Sequence, residues 1–173
     1  MSVYFYYGDE DYLIDMELKK FRDKLDKNFS SMNYVVYDTL SYADFINILR
    51  TPPMMFGKMM VVIEGSALFV DKGTKKTDLL SYSYDDTQID EITYALENCP
   101  EGLDLFFVMR YPRNEKKKPD SRKKIVKILS KFNKQEFPSI PTYKTADLSN
   151  WIVKMAKTRN ITVDKDAIDL LIR

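Results

Sequence analysis

Gly8 is the residue around which phosphate-binding chemistry could be arranged. It follows an apolar run, Val3 to Tyr7, and precedes an amphipathic stretch that begins at Asp11. A strand, a glycine turn and a helix in this order form the layout of a P-loop, whose full pattern is G-x-x-x-x-G-K-[ST]. In that pattern backbone N–H groups and the lysine contact phosphates, and the hydroxyl residue holds Mg²⁺. Counted from Gly8, the last three positions of the pattern hold Leu13, Ile14 and Asp15.

The turn after Gly8 is acidic as well as incomplete. Asp9, Glu10 and Asp11 place three carboxylates where a nucleotide enzyme needs attraction for a triphosphate. We therefore predict a nucleotide-binding architecture that binds no nucleotide, and we expect no cofactor.

The chain contains no histidine, which removes Ser-His-Asp and Cys-His nucleophile pairs, histidine metal sites and imidazole proton shuttles. Paired carboxylates could still serve as acid and base, but the clusters at 85–86 and 90–91 lie in a polar loop or on a helix face. Solvated surface is the favoured interpretation of both. We therefore expect no catalytic residue and no metal site.

Basic residues are concentrated in the second part of the chain, although the formal net charge is only +1. Such a patch could contact phosphates through non-specific electrostatics. The alternative, which we favour, is a flexible loop followed by the solvent face of a helix. The residues concerned are Arg110, Arg113, Lys116, Lys117, Lys118, Arg122, Lys123, Lys124 and Lys127.

Short apolar runs alternate with segments of helical period, which is typical of parallel strands that cross over through helices. We predict an α/β fold whose parallel sheet is covered by helices on both faces. The predicted strands are Val3–Tyr7, Tyr34–Tyr37, Met59–Ile63, Leu105–Met109 and Gln135–Phe137. The predicted helices carry the apolar stripes Ile14-Leu18-Phe21-Leu25, Tyr42–Arg50, Ile89-Ile92-Leu96 and Ile125-Ile128-Leu129-Phe132.

Two interruptions divide this pattern. Ser66 to Gln88 has no clear period and is predicted to be a surface insertion with room for one short element. The prolines at 138 and 141 indicate a domain boundary near residue 141. Beyond it we predict one helix from about Ala146 and a second one capped by Asp164. Two helices bury their apolar faces poorly, so we expect the chain to be an excerpt of a longer protein.

Targeting signals are not apparent. The apolar runs are far shorter than a membrane span, and no secretory signal opens the chain. Cys99 is the single cysteine, which excludes an intrachain disulfide and fits a reducing compartment. We expect a cytoplasmic protein.

Thr51 to Gly57 concentrates two methionines and a phenylalanine immediately after two prolines, between a predicted helix and a predicted strand. These side chains could plug the core, which is the more common role of such residues. The alternative is a stiffened loop that presents Met and Phe to an apolar pocket on a partner.

The chain resembles the delta subunit family of bacterial DNA polymerase III, the clamp-loader component that opens the sliding clamp. The resemblance lies in four motifs, in order: YFYYGDEDYLIDMELKKFR, ILRTPPMMFGKMMVVIE, LDLFFVMRYP and DLSNWIVKMAKTRNITVDKDAIDLLI. It implies an AAA+-type fold with a degenerate nucleotide site over residues 1–140, followed by the start of a small helical lid domain over 141–173.

The resemblance also implies a function and its residues. Thr51 to Phe56 correspond to a clamp-binding motif of the form Q-x-x-[LMS]-[LM]-F, in which Met54, Met55 and Phe56 match and Thr51 replaces glutamine. The implied protein is a non-catalytic subunit that binds and opens the sliding clamp for DNA replication while other loader subunits hydrolyse ATP. Those subunits would join through a domain that this chain lacks, and DNA contact would be weak or indirect.

Two other classes remain open from the residues alone. A P-loop NTP-utilising enzyme would need the lysine that this turn lacks, and nucleotide-dependent stabilisation would favour it. A basic-patch nucleic-acid-binding α/β module would show steeply salt-dependent binding to DNA without the clamp.

Overall fold

A computed structural model of the protein describes residues 2–38, 42–53, 57–65, 86–113 and 118–172. The chain divides into two compact units, Met1–Phe137 and Pro138–Arg173. The strands are β1 Ser2–Gly8, β2 Tyr34–Tyr37, β3 Met59–Glu64, β4 Leu103–Arg110 and β5 Asn133–Phe137. The helices are α1 Asp11–Arg22, a 3₁₀ turn Lys27–Phe29, α2 Ser30–Asn33, α3 Tyr42–Arg50, α4 Asp86–Glu97, α5 Lys124–Leu129, α6 Thr145–Thr158 and α7 Lys165–Ile172.

The strands form one parallel sheet in the order β2-β3-β4-β1-β5. Each of the five predicted strands is present, so the predicted α/β sheet is confirmed. Pairing places Gly8 beside both Arg110 and Phe137. The carboxyl ends of β1, β4 and β5 therefore meet at one edge of the sheet.

A core cluster covers each face of the central strands, and side chains of successive strand residues point alternately into the two clusters. On one face Phe5 and Phe107 pack with residues of α3, α4 and α5. On the other face Tyr6 and Phe106 pack with Ile14 and Leu18 of α1. The central strand β4 is apolar on both sides for this reason.

Two predicted helical stripes extend beyond the observed helices. Helix α1 ends at Arg22, where the backbone N–H groups of Lys24 and Leu25 bond carbonyls three residues earlier, and Leu25 is nevertheless buried. Helix α5 ends at Leu129 in the same kind of tightened turn, which leaves Phe132 outside it. Periodicity therefore located the apolar contacts correctly and placed the helix ends too late.

The predicted insertion Ser66 to Gln88 is wrong at its end, because α4 already begins at Asp86. Residues 66–85 lie outside the described residues. The short α2 and the 3₁₀ turn before it carry too few residues for a visible period, and they were not predicted.

The second unit contains α6 and α7, which contact each other. Beyond the last residue of α6, Asn160 has a φ of 56°. The Ile161 N–H donates to the Ala156 carbonyl, and together these features form a Schellman motif. The predicted cap of α7 is confirmed, since Asp164 Oδ1 accepts a 2.8 Å hydrogen bond from the Ala167 N–H. Among the described helices, none is long and apolar enough to cross a membrane.

Candidate functional site

The turn after β1 is closed against β5 rather than open to a ligand. A Cβ placed on Gly8 would lie 2.1 Å from the Phe137 carbonyl oxygen, so only glycine allows the two strands this approach. The Glu10 N–H, which a P-loop would turn toward phosphate, donates instead to the same Phe137 carbonyl at 3.2 Å. The turn therefore joins a strand to a helix as a phosphate loop does, but one of its N–H donors is already bonded.

The positions that bind phosphate and Mg²⁺ in a P-loop serve other purposes here. Ile14, in place of the lysine, is fully buried in the core, and Leu13 packs against the same core cluster. Asp15, in place of the hydroxyl residue, meets the Arg110 guanidinium, with 2.6 Å between Nη2 and Oδ1.

Arg110 gathers carboxylates from two elements into what we call the arginine cage, made of Arg110, Asp11, Asp15 and Glu64. Beyond Asp15, its Nη2 lies 3.2 Å from Glu64 Oε1 at the end of β3, and its Nη1 lies 3.5 Å from Asp11 Oδ1. Burial alone would lower the pKa of Arg110, but the hydrogen bonds and charges of Asp15 and Glu64 outweigh it and raise that pKa. A protein cation thus occupies the centre of the carboxylate group, next to the degenerate turn.

The surroundings of the turn remain negative beyond the cage. Burial raises the pKa of Tyr111, and the charges of Glu136 and Asp9 raise it further. Arg113 forms an ion pair with Glu10, with 2.6 Å between Nη2 and Oε2. This pair holds Glu10 of the turn in place. An incoming triphosphate would meet acids whose nearest cations are already engaged.

The predicted basic patch is largely paired with acids of the fold where the structure describes it. Arg110 and Arg113 hold the turn, and Lys118 pairs with Glu136 at 2.9 Å. Hydrogen bonds from Arg122 lower the pKa of Asp120 to about 2. The remaining described members, Lys123, Lys124 and Lys127, lie at or in α5, and the last two are exposed opposite its buried apolar face. Lys116 and Lys117 lie outside the described residues, so a nucleic-acid role for the patch stays a prediction.

The predicted clamp-contact segment is described only at its two ends, because Met54, Met55 and Phe56 lie outside the described residues. Thr51 is exposed, and its Oγ1 donates at 2.7 Å to the Asn47 carbonyl in the last turn of α3. Its hydroxyl therefore closes the helix end and does not take the place of an extended glutamine side chain.

Pro53 and Gly57, which flank the undescribed residues, both reach Gly102 at the start of β4. A Cβ placed on Gly102 would lie 2.5 Å from the Gly57 carbonyl oxygen and 3.0 Å from Pro53 Cγ. The Met59 N–H then donates to the Gly102 carbonyl at 2.8 Å, where β3 begins. Both ends of the segment are thus fixed at the amino edge of the sheet, opposite the edge that carries the arginine cage.

Nucleophilic chemistry at the cysteine and metal-based chemistry receive little support. Burial raises the pKa of the Cys99 thiol to about 11, which suppresses the nucleophilic thiolate. In the described ranges no group of three or more acidic or cysteine side chains is arranged to hold a metal ion. The cage itself was missed by sequence reasoning, although Glu64 and Arg110, each ending an apolar strand run with a charge, were its signal.

Comparisons with known proteins place these features in context. A family model described as DNA polymerase III, delta subunit, matches residues 4–137. Among solved structures, the Bacillus subtilis DNA clamp loader delta protein aligns with a TM-score of 0.75 at 21% identity, covering 99% of this chain and 48% of that one. A Thermotoga maritima DNA polymerase III gamma subunit-related protein aligns with a TM-score of 0.46 at 14% identity, covering 91% of this chain and 47% of that one. A search of curated protein sequences finds no match. The chain thus spans about half the length of the solved structures it resembles.

Proposed function

This chain belongs to the DNA polymerase III delta subunit family, and from that premise we propose that it binds a sliding clamp and favours the clamp's open form without binding ATP. Residues 1–140 would serve as a degenerate AAA+ module, and 141–173 as the start of a helical lid. The protein would act as a non-catalytic accessory subunit, and other clamp-loader subunits would supply ATP hydrolysis. Contacts with those subunits would use parts of the relatives' length that this chain does not span.

The proposal that this chain does not bind ATP rests on the hydrogen bond from the Glu10 N–H to the Phe137 carbonyl. A phosphate loop binds through backbone N–H groups at a helix start, and here that donor is engaged while the lysine position, Ile14, is buried core. The arginine cage adds a cation that is already saturated by carboxylates.

The clamp-binding part is supported by the placement of the Thr51–Gly57 segment. Pro53 is buried and Gly57 lies against Gly102, so the segment leaves and rejoins the fold at fixed points. Fixed attachment points at both described ends reduce the ordering cost of binding, which favours affinity. Binding energy that is larger for the open form of the clamp than for the closed form would shift the clamp toward opening.

The test is the double variant Met55→Ala with Phe56→Ala, titrated against the purified sliding clamp by calorimetry. Burying each side chain in a pocket contributes roughly 1.5 to 3 kcal/mol. We therefore expect clamp binding to weaken by on the order of 3 kcal/mol or more, which is at least about a hundredfold in Kd. The melting temperature should change little.

The matched control is Met32→Ala with Tyr94→Ala, which removes two other large apolar side chains that are 58% and 68% exposed. This control should bind the clamp like the wild type. If the Met55/Phe56 variant instead melts far below wild type while its folded fraction binds the clamp normally, the two side chains belong to the core and the proposed contact is wrong.

A further inference from the structure

Three exposed lysines lie where α5 ends and β5 begins, and we call Lys127, Lys131 and Lys134 the lysine stripe. Lys127 stands on α5 opposite the buried Ile125 and Leu129. Lys131 follows one turn later, and its N–H donates to the Ile128 carbonyl at 3.0 Å. Residues four positions apart on a helical turn are neighbours on one face, so the stripe continues past the end of the helix.

The start of β5 holds the third lysine on the same side of the sheet. Asn133 Nδ2 donates to the Val3 carbonyl at 3.0 Å, which fixes the strand where it begins. The Lys134 ammonium lies over the Tyr7 ring, 5.4 Å from its centroid. Tyr7 belongs to the core cluster that α5 covers, so Lys134 extends the row of lysines that α5 begins. A cation held over an aromatic face keeps its full charge.

The charge of this surface is not neutralised by the fold. Residues 118–137 contain seven basic and two acidic residues, and both acids are engaged elsewhere. Asp120 pairs with Arg122 at 2.7 Å, and Glu136 pairs with Lys118 at 2.9 Å. Within the described ranges the three stripe lysines form no ion pair with an acid. Because the net charge of the chain is only +1, this positive potential is local to the stripe.

The residue types indicate the chemistry of the partner. Protein interfaces are depleted in lysine, and their strongest contacts are made by Trp, Tyr and Arg, none of which belongs to the stripe. A lysine ammonium instead suits phosphate, which it meets as a point charge. Single-stranded nucleic acid also needs exposed aromatic rings for its bases to stack on. The two aromatic residues near the stripe, Phe132 and Phe137, pack against the core clusters. The stripe therefore fits the outside of a duplex.

We propose that the lysine stripe binds the phosphate backbone of double-stranded nucleic acid without reading its sequence. Each ammonium neutralises a phosphate and releases the counterions condensed on it. The inference goes beyond the proposed function and does not depend on it, because no residue of the Thr51–Gly57 segment takes part.

The test is a fluorescence-anisotropy titration of the 173-residue chain with a short labelled DNA duplex at several salt concentrations. Three phosphate contacts predict a slope of about −2.7 in the plot of log K against log salt. The affinity should therefore fall about fortyfold between about 50 and 200 mM salt. A duplex of unrelated sequence should bind equally well, because the stripe contacts no base edges.

The stripe is tested by replacing its three lysines together, as Lys127→Gln, Lys131→Gln and Lys134→Gln. This variant should bind at least about tenfold more weakly at low salt, and each lysine that is replaced singly should reduce the slope by about 1. Replacing the same three residues by arginine keeps the charges and should preserve both the affinity and the slope. Melting curves recorded for every variant establish that the protein remains folded.

The matched control removes three exposed lysines from the second unit, as Lys154→Gln, Lys157→Gln and Lys165→Gln. It lowers the net charge by the same amount and should bind the duplex as the wild type does. If both triple variants lose affinity equally, binding follows the overall charge and the stripe is not the site.

Two further outcomes would also overturn the proposal. One is that labelled poly-glutamate binds in a stripe-dependent way while the duplex does not, which would make the stripe a contact for an acidic protein. The other is that the wild-type chain binds no duplex at low salt with protein at hundreds of micromolar. Neither outcome bears on the clamp titration of the Met55/Phe56 variant, so the two proposals stand or fall separately.

Discussion

At the scale of single residues, Arg110 shows how a basic side chain in a dense basic run can serve the fold rather than a ligand. Its side chain is 25% exposed and it bonds three carboxylates from α1 and β3. Arg113, only three residues later, is 66% exposed and pairs with a single acid. The two arginines are therefore expected to differ in their contribution to stability.

Replacing Arg110 by Gln should lower the free energy of unfolding by about 2 kcal/mol or more, because Asp11, Asp15 and Glu64 would lose their shared cation. Arg113→Gln should cost less than about 1 kcal/mol, as exposed ion pairs usually do. Urea unfolding of the two variants beside the wild type measures both values. Equal losses would contradict the view that the cage, and not a surface pair, holds this edge of the sheet.

At the scale of secondary-structure elements, the close approach of β1 and β5 depends on Gly8. An alanine there would place its Cβ 2.1 Å from a backbone carbonyl oxygen, which no side-chain rotation can relieve. We expect Gly8→Ala to cost about 3 kcal/mol or more and to reduce hydrogen-exchange protection in β5.

The matched control for that prediction is Gly57→Ala. Gly57 has a φ of 65°, but among the described residues no atom beyond its chain neighbours lies within 4 Å of its would-be Cβ, so the expected cost is the backbone strain of about 1–2 kcal/mol. If the two alanine variants unfold at the same urea concentration, the contact between Gly8 and Phe137 is looser than the structure shows.

The elements also show what sequence can and cannot predict here. Strands such as Leu103–Arg110 are buried on both faces and therefore leave continuous apolar runs, which made them visible in the sequence. The edge strand β5 is mostly polar and exposed, and only its last residues were predicted. The start of α4 at Asp86 leaves no such sign, because its first turn is polar and follows a polar stretch. The two charged strand ends, Glu64 and Arg110, are visible in the sequence, but their pairing depends on strand order, because they come within reach only once β3 pairs with β4 and sets Glu64 opposite Val108.

Some features of the candidate site could be predicted from the sequence and others could not. The missing phosphate chemistry at Leu13, Ile14 and Asp15 is visible in the sequence because it depends on residue types at fixed spacing. The bond that closes the turn is not visible, because it joins Glu10 to a residue at the far end of the first unit.

At the scale of the whole molecule, the parallel topology separates the two candidate sites. The degenerate turn lies at the carboxyl ends of the strands, where open α/β sheets bind ligands, and the described ends of the Thr51–Gly57 segment lie near the amino end of β3. The proposed loss of nucleotide binding at one edge is therefore compatible with the proposed partner contact at the other. The first unit should respond to a clamp and not to a nucleotide.

That expectation yields a measurement on the intact chain. A ligand present at about a hundred times its Kd stabilises a protein by about 2.7 kcal/mol, which for a chain of this size raises the melting temperature by several degrees. With ATP and Mg²⁺ at millimolar concentration we expect no shift beyond about 1 °C, because the Glu10 N–H is engaged and the turn is acidic. ADP and ATP without Mg²⁺ serve as controls for non-specific anion effects. A shift of several degrees that requires Mg²⁺, together with micromolar affinity by calorimetry, would show that the turn opens to nucleotide and that the degenerate-site argument is wrong.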